Sequence, residues 1–138
     1  MENAYLESLD VISGRIKHLA STIHAPAPYL PTFVQSRHDG SHHIEVDHQY
    51  HWVVCERGYE LDRRSTSGLD ELLFWVFSSV TFSMAMDFEL DHRRDGEDCR
   101  RQIFQKQEEL LSMLSESWAD REARDHKARL EENPFRDG

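Results

Sequence analysis

Residues 50–88 read YHWVVCERGYELDRRSTSGLDELLFWVFSSVTFSMAMDF. The stretch changes character twice, and those changes decide the fold. Tyr50 to Arg57 is a short apolar run typical of a strand, and Tyr59 to Arg64 turns back as a polar one. With Arg57 and Gly58 as the two turn residues, Trp52, Val54, Tyr59 and Leu61 share one face, while Val53 and Cys55 lie behind, with Asp62 and Glu60 on the polar side. A slip of one residue would exchange the faces. Ser67 then reads as a helix N-cap, and Asp70 three residues on completes a capping box. Asp70 and Glu71 also suit the positive end of the helix. Beyond them Leu69, Leu72, Leu73, Val76, Phe77, Val80, Met84 and Phe88 form one apolar stripe. Trp75, Phe82 and Met86 form another, which predicts a helix buried between the sheet and other helices.

Upstream, Leu6, Leu9, Ile12, Ile16, Leu19 and Ile23 recur at helical spacing and predict a helix over residues 3–23. Pro26, Pro28 and Pro31 stop it and impose an extended connector. Thr32 to Gln35 reads as a strand, Asp39-Gly40 as a turn, and residues 42–47 as the return strand. Downstream, His92, Arg93 and Arg94 suit a helix C-terminus before Gly96. Asp95 or Asp98 would cap a helix over 97–118, packing through Ile103, Phe104, Gln107, Leu110, Leu111, Leu114 and Trp118. A charged, exposed helix over 120–131 follows, with Asp125 and Arg129 among its four-residue charge pairs, and Asn133-Pro134 ends it. The expected fold is α+β: an N-terminal helix, a small antiparallel sheet of about four strands, and three C-terminal helices, the first centrally buried. One domain over residues 1–138 is expected.

The chain has 138 residues and a net charge of −10, with 26 acidic and 16 basic side chains. That field disfavours nucleic-acid phosphates and anionic lipid and favours a basic partner. Cys55 and Cys99 form no CxxC pair, which fits a reducing compartment. The first ten residues lack the pattern of a signal peptide, and LLFWVFSSVTFSMAM reads as too short and too interrupted for a lone membrane span. A cytoplasmic protein is the expectation. His38, His42, His43, His48 and His51 cluster in the strand region, but no HExxH or dense Cys/His spacing accompanies them. Cys55 and Glu56 point to opposite sides of a strand, so His51, Cys55 and Glu56 do not form a nucleophilic set. No catalytic residue, cofactor site or metal site is assigned.

Tyr50, the Glu56-Arg57-Gly58 turn, Arg63, Thr66 and Leu69-Asp70-Glu71-Leu72-Leu73 together resemble the immunity protein 63 family of bacterial polymorphic toxin systems. Arg100-Arg101 with Phe104 and Gln107, and Asn133-Pro134-Phe135, are similar too, so the resemblance covers about the last two thirds of the chain. It implies a non-enzymatic immunity protein that binds and neutralises a cognate toxin domain, a basic nuclease being one toxin its acidity would suit. The candidate partner-binding residues are Tyr50, Glu56, Arg57, Tyr59, Glu60, Asp62 and Arg63. Other acidic candidates are Glu45, Asp47, Glu89 and Asp91; Glu56 could instead pair with Arg63 across the hairpin. An adaptor domain for another protein partner, and a small metal-binding or hydrolytic protein, are the alternative readings.

Overall fold

The computed structural model describes residues 6–138. In chain order it contains α1 (Leu9–Thr22), a short 3-10 turn (Ala27–Tyr29), β1 (Thr32–Phe33), β2 (Asp39–Val46), β3 (Tyr50–Glu56), β4 (Tyr59–Thr66), α2 (Leu69–Asp91), α3 (Cys99–Ser112) and α4 (Glu116–Glu132). This is the expected α+β order of one helix, four strands and three helices. Backbone proximity divides the chain into two compact units. One holds the described residues up to Ser21 together with Pro26–Val76, the other Thr22–Ala25 with Phe77–Gly138. The division falls inside α2.

In the first unit, Ile12, Ile16 and Ala20 recur every four residues along α1 and are buried. Residues 6–8 are not helical and α1 begins at Leu9, with the Ser8 hydroxyl accepting from the Val11 N–H at 3.3 Å. The expected start at residues 3–5 lies outside the described residues. The sheet order is β1-β2-β3-β4. β3 pairs antiparallel with β2 and with β4. β1 pairs parallel with β2, Thr32 opposite His43 and Phe33 opposite Ile44, so the sheet is mixed and the expected Asp39-Gly40 hairpin is not formed. The chain must travel back before β2 can run the same way as β1. It does so through left-handed residues at Val34 (φ 69°), His38 (φ 53°) and Gly40 (φ 85°). Val34 sits at the centre of a γ-turn in which the Gln35 N–H donates to the Phe33 carbonyl at 2.7 Å. A left-handed conformation is costly for a β-branched residue. β3 is one of the two inner strands and is buried along nearly its whole length, which is why its apolar run does not alternate. Ile44, Tyr50, Trp52 and Val53 are core, as are Leu72, Leu73, Phe74 and Val76 of α2.

α2 starts at Leu69, so Gly68 rather than Ser67 holds the capping position; the Gly68 carbonyl accepts from the Leu72 N–H at 3.2 Å. The helix runs for 23 residues and includes an 18-residue window of mean hydropathy 1.3. By length and composition alone it could therefore cross a bilayer, which the apolar run read in isolation did not suggest. It is largely buried, as expected, but one side stays open. Phe82, Met86 and Leu90, four residues apart, are exposed, whereas Trp75, read on the same face as Phe82 and Met86, is half-buried.

In the second unit the Phe77 and Trp118 rings lie nearly parallel with centroids 6.2 Å apart. Asp98 caps α3 by accepting from the Arg100 N–H. Trp118 does not belong to α3: the chain breaks at residues 113–115, and the Ser115 hydroxyl accepts from the Trp118 N–H at 3.3 Å to start α4. α4 is also less exposed than its charge suggested. The Asp125–Arg129 pair forms at 2.9 Å on its outside, but Trp118, Ala119, Glu122 and His126 are buried. Glu122 and His126 are satisfied in one network with Ser78, Gln107 and Glu108. Glu122 accepts from the Ser78 hydroxyl and, at 3.3 Å, from the Gln107 amide, which also donates to the Ser78 carbonyl at 2.9 Å. His126 bonds Gln107 Oε1 at 2.9 Å and Glu108 at 2.6 Å, and stacks on Phe104 with ring centroids 4.0 Å apart.

The last residues lie back along the start of α3. Arg100 donates to the carbonyls of Asn133 and Pro134 at 2.8 and 2.9 Å. Asp98 accepts from the Arg136 N–H, Asp137 accepts from the Asp98 N–H, and Arg101 grips Asp137 at 2.8 Å. The Arg101 guanidinium sits 4.1 Å over the Phe135 ring, and the Gly138 N–H donates to the Gly96 carbonyl at 2.9 Å.

Candidate functional site

The candidate partner-binding residues fall on the β3–β4 hairpin. Its two turn residues are Arg57 (φ 52°) and Gly58 (φ 84°), both left-handed. That pairing matches the right-handed twist of the flanking strands and suits glycine; arginine adopts it at some cost. The chain before β2 braces the tip: the His38 carbonyl accepts from the Arg57 N–H at 3.0 Å, and His38 Nδ1 from the Gly58 N–H at 3.2 Å.

The register places Val54 opposite Asp62, then Cys55 opposite Glu60. Leu61 is therefore an extra residue on β4, a bulge that slips the working register by one beyond that point. Tyr59 and Leu61 are 74% and 58% exposed. Trp52 and Val54, read as their partners on one face, are instead core and half-buried.

Arg63 ties the strands together. Its guanidinium meets Glu60 at 2.7 Å and Glu45 of β2 at 3.3 Å. The cross-hairpin pairing of Arg63 with Glu56 is not made; the bulge places Glu60 on the Arg63 side of the strand instead. Hydrogen bonds and charge from both carboxylates, Glu60 foremost, raise the Arg63 pKa. Glu60 is lowered chiefly by its bond to Arg63, and Glu45 chiefly by its bond to His43 at 2.7 Å. These side chains are partly exposed, so the pairing fixes geometry more than it stabilises. Arg64 lies 5.7 Å from the Trp75 ring and 3.7 Å from Asp62.

Tyr50 is 2% exposed, and its hydroxyl accepts from the Glu7 N–H at 2.6 Å. It supports the sheet from within and offers no surface to a partner. Glu56, Arg57, Tyr59, Glu60, Asp62 and Arg63 are exposed together on the hairpin. Among the further acidic candidates, Glu89 is buried and bonded to Arg93 at 2.8 Å, so it is not an accessible carboxylate. Asp91 is exposed.

The strand-region histidines have separate roles. His42 stacks on Trp52 with centroids 4.1 Å apart, and burial first, then the Arg64 charge, lowers its pKa to about 4. His51 bridges Asp47 and Ser65 at 2.7 and 2.6 Å. Among the described residues no three His, Cys, Asp or Glu side chains are grouped to hold a metal. Sequence reading missed the exposure of Leu61, which depends on the bulge, and the buried Glu122–His126 pair, whose four-residue spacing was a signal present in the sequence.

The residues that carry the resemblance now have places. Gly58 forms the turn, Tyr50 and Leu72-Leu73 are core, and the Thr66 hydroxyl accepts from the Gly68 N–H before α2. Gln107 is the hub of the buried network, and Arg100 and Arg101 hold the last residues. No curated protein and no solved structure matched the chain. A family match did emerge, extending from Asp47, just before β3, into α4: the immunity protein 63 family matches residues 47–128, more than half of the sequence, and the chain belongs to that family.

Proposed function

We propose that this chain acts as a single immunity-type domain that binds a cognate toxin domain through the β3–β4 hairpin and neutralises it by occupation, with no chemistry of its own. Family membership carries the reading, since it gives the chain a toxin-immunity role in general and a toxin domain as partner. The hairpin supports the finer statement. Tyr59 offers an exposed aromatic anchor, Arg57 projects from a braced turn, and Glu60 and Asp62 are exposed carboxylates of β4. Exposed aromatic and arginine side chains are the usual carriers of interface energy. The net charge of −10 would speed encounter with a basic toxin such as a nuclease. The site of action on this reading is the cytoplasm, where such a toxin would meet its target.

Co-expression with the toxin domain encoded beside this gene tests it. Growth should be restored, and the two proteins should copurify as a 1:1 complex. Tyr59→Ala together with Glu60→Lys should weaken that complex at least tenfold. A toxin that neither binds the chain nor is restrained by it would overturn the assignment.

A further inference from the structure

β4 is one of the two outer strands of the sheet, and every residue from Tyr59 to Ser65 is exposed. β3, by contrast, has a partner on each side. An outer strand carries a row of backbone N–H and C=O groups directed away from its one partner. Such an edge ordinarily invites indiscriminate pairing, and a bulge and charged side chains are the usual protections. β4 has both, in Leu61 and in Glu60, Asp62, Arg63 and Arg64. It buries almost nothing of its own, so it is ordered by β3 and by the Arg63 bridge to β2.

We propose that β4 is a docking edge, alongside which an extended, basic segment of the toxin domain adds as a fifth strand. This rests on the toxin-binding reading above and specifies how the binding is made. Main-chain hydrogen bonds would supply affinity, and alternate side chains specificity. Charge selects the occupant. Glu45 and Glu60 share the single Arg63, so these three side chains carry one negative charge in excess, with His43 as the other partner of Glu45. Asp62 lies on the opposite face from Glu60, since their register partners, Val54 and Cys55, are adjacent on β3 and point opposite ways. A strand laid beside Tyr59–Asp62 therefore meets the unmatched carboxylate on the Glu60 face and suits lysine or arginine there, while Asp62 on the other face is already paired with Arg64 at 3.7 Å. The exposed Tyr59 and Leu61 would cover apolar atoms of the same strand. The apolar row Phe82, Met86 and Leu90 on α2 is also exposed, but it carries no feature that selects an occupant.

The test uses the full chain, with and without the inactivated toxin domain encoded beside its gene, and amide hydrogen exchange at single-residue resolution. In the free chain the outward amides among residues 59–66 should exchange fast, and in the complex they should slow at least tenfold. Leu61→Pro, placed at the bulge rather than at a paired position of the register, should weaken the complex at least tenfold, while Leu61→Ala should weaken it less than Leu61→Pro does. A complex that forms and protects cells while the β4 amides keep their free-state exchange overturns the edge proposal and leaves the immunity reading intact. Absence of both complex and protection removes that reading, and the edge proposal falls with it. Concentration-dependent protection of β4 in the chain alone would assign the edge to a second copy and overturn the proposal.

Discussion

Phe77 and Phe82 stand five residues apart on α2, and burial gives them opposite values. Phe77 is 0% exposed and faces the Trp118 ring, whereas Phe82 is 41% exposed. Truncating Phe77 to alanine returns roughly 150 Å² of apolar burial, worth about 4 kcal/mol at about 25 cal/mol per Å². Loss of the ring contact and the residual cavity keep the expected cost at about 3–5 kcal/mol. Phe82→Ala gives up much less and should cost under about 1.5 kcal/mol. Urea unfolding followed by far-UV circular dichroism separates them. At a slope of about 2 kcal/mol per M, Phe77→Ala moves the midpoint down by about 2 M and Phe82→Ala by less than about 0.8 M. Should Phe77→Ala not fold at all, Phe77→Leu, costing about 1–1.5 kcal/mol, still ranks above Phe82→Leu. Equal costs at the two positions would refute the one-sided burial of α2.

Tyr50→Phe removes the acceptor of the Glu7 N–H and should cost about 1 kcal/mol in the same assay, with the ring still packed. His42 is held neutral, its pKa depressed to about 4, so its contribution is present above about pH 6.5, the unfolded value, and is lost as pH falls toward 4. Its ring protons, followed by NMR, should show no titration between pH 8 and 5, and His42→Phe should flatten stability across pH 6.5 to 4. The Asp47 carboxyl is held at about 2, by the Gln49 N–H foremost and then by His51. Its contribution is present above about pH 4 and disappears as pH falls toward 2, and Asp47→Asn should make acid unfolding less steep over that window.

Element types were legible where a single local signal decided them. The Arg57-Gly58 turn, the three prolines after α1 and the apolar density of α2 each allowed one local structure. The parallel pairing of β1 was not legible, because Asp39-Gly40 is an ordinary hairpin signal and the reversal depends on Val34 adopting a conformation its side chain disfavours. The break before Trp118 was missed because Leu110, Leu111, Leu114 and Trp118 keep helical spacing across it, and only Ser115 marks the new start. The hairpin residues were found by composition and turn chemistry. Their grouping was not, since one extra residue at Leu61 decides that Arg63 meets Glu60 and Glu45 rather than Glu56. Apolar periodicity also cannot say whether a second stripe has a neighbour, and Phe82 and Met86 were misjudged for that reason.

The meeting of Gly138 with Gly96 turns α3, α4 and the segment after them into a ring of roughly forty residues, joined at its base by polar bonds and by Arg101 stacked on Phe135. Closing a loop of that length costs about 3 kcal/mol or more in chain entropy, which one exposed hydrogen bond could not offset. The many fastenings at Asp98, Arg100, Arg101 and Asp137 are what such a closure demands. With its two ends fastened side by side, the segment cannot fray from its last residues without also releasing the first turn of α3.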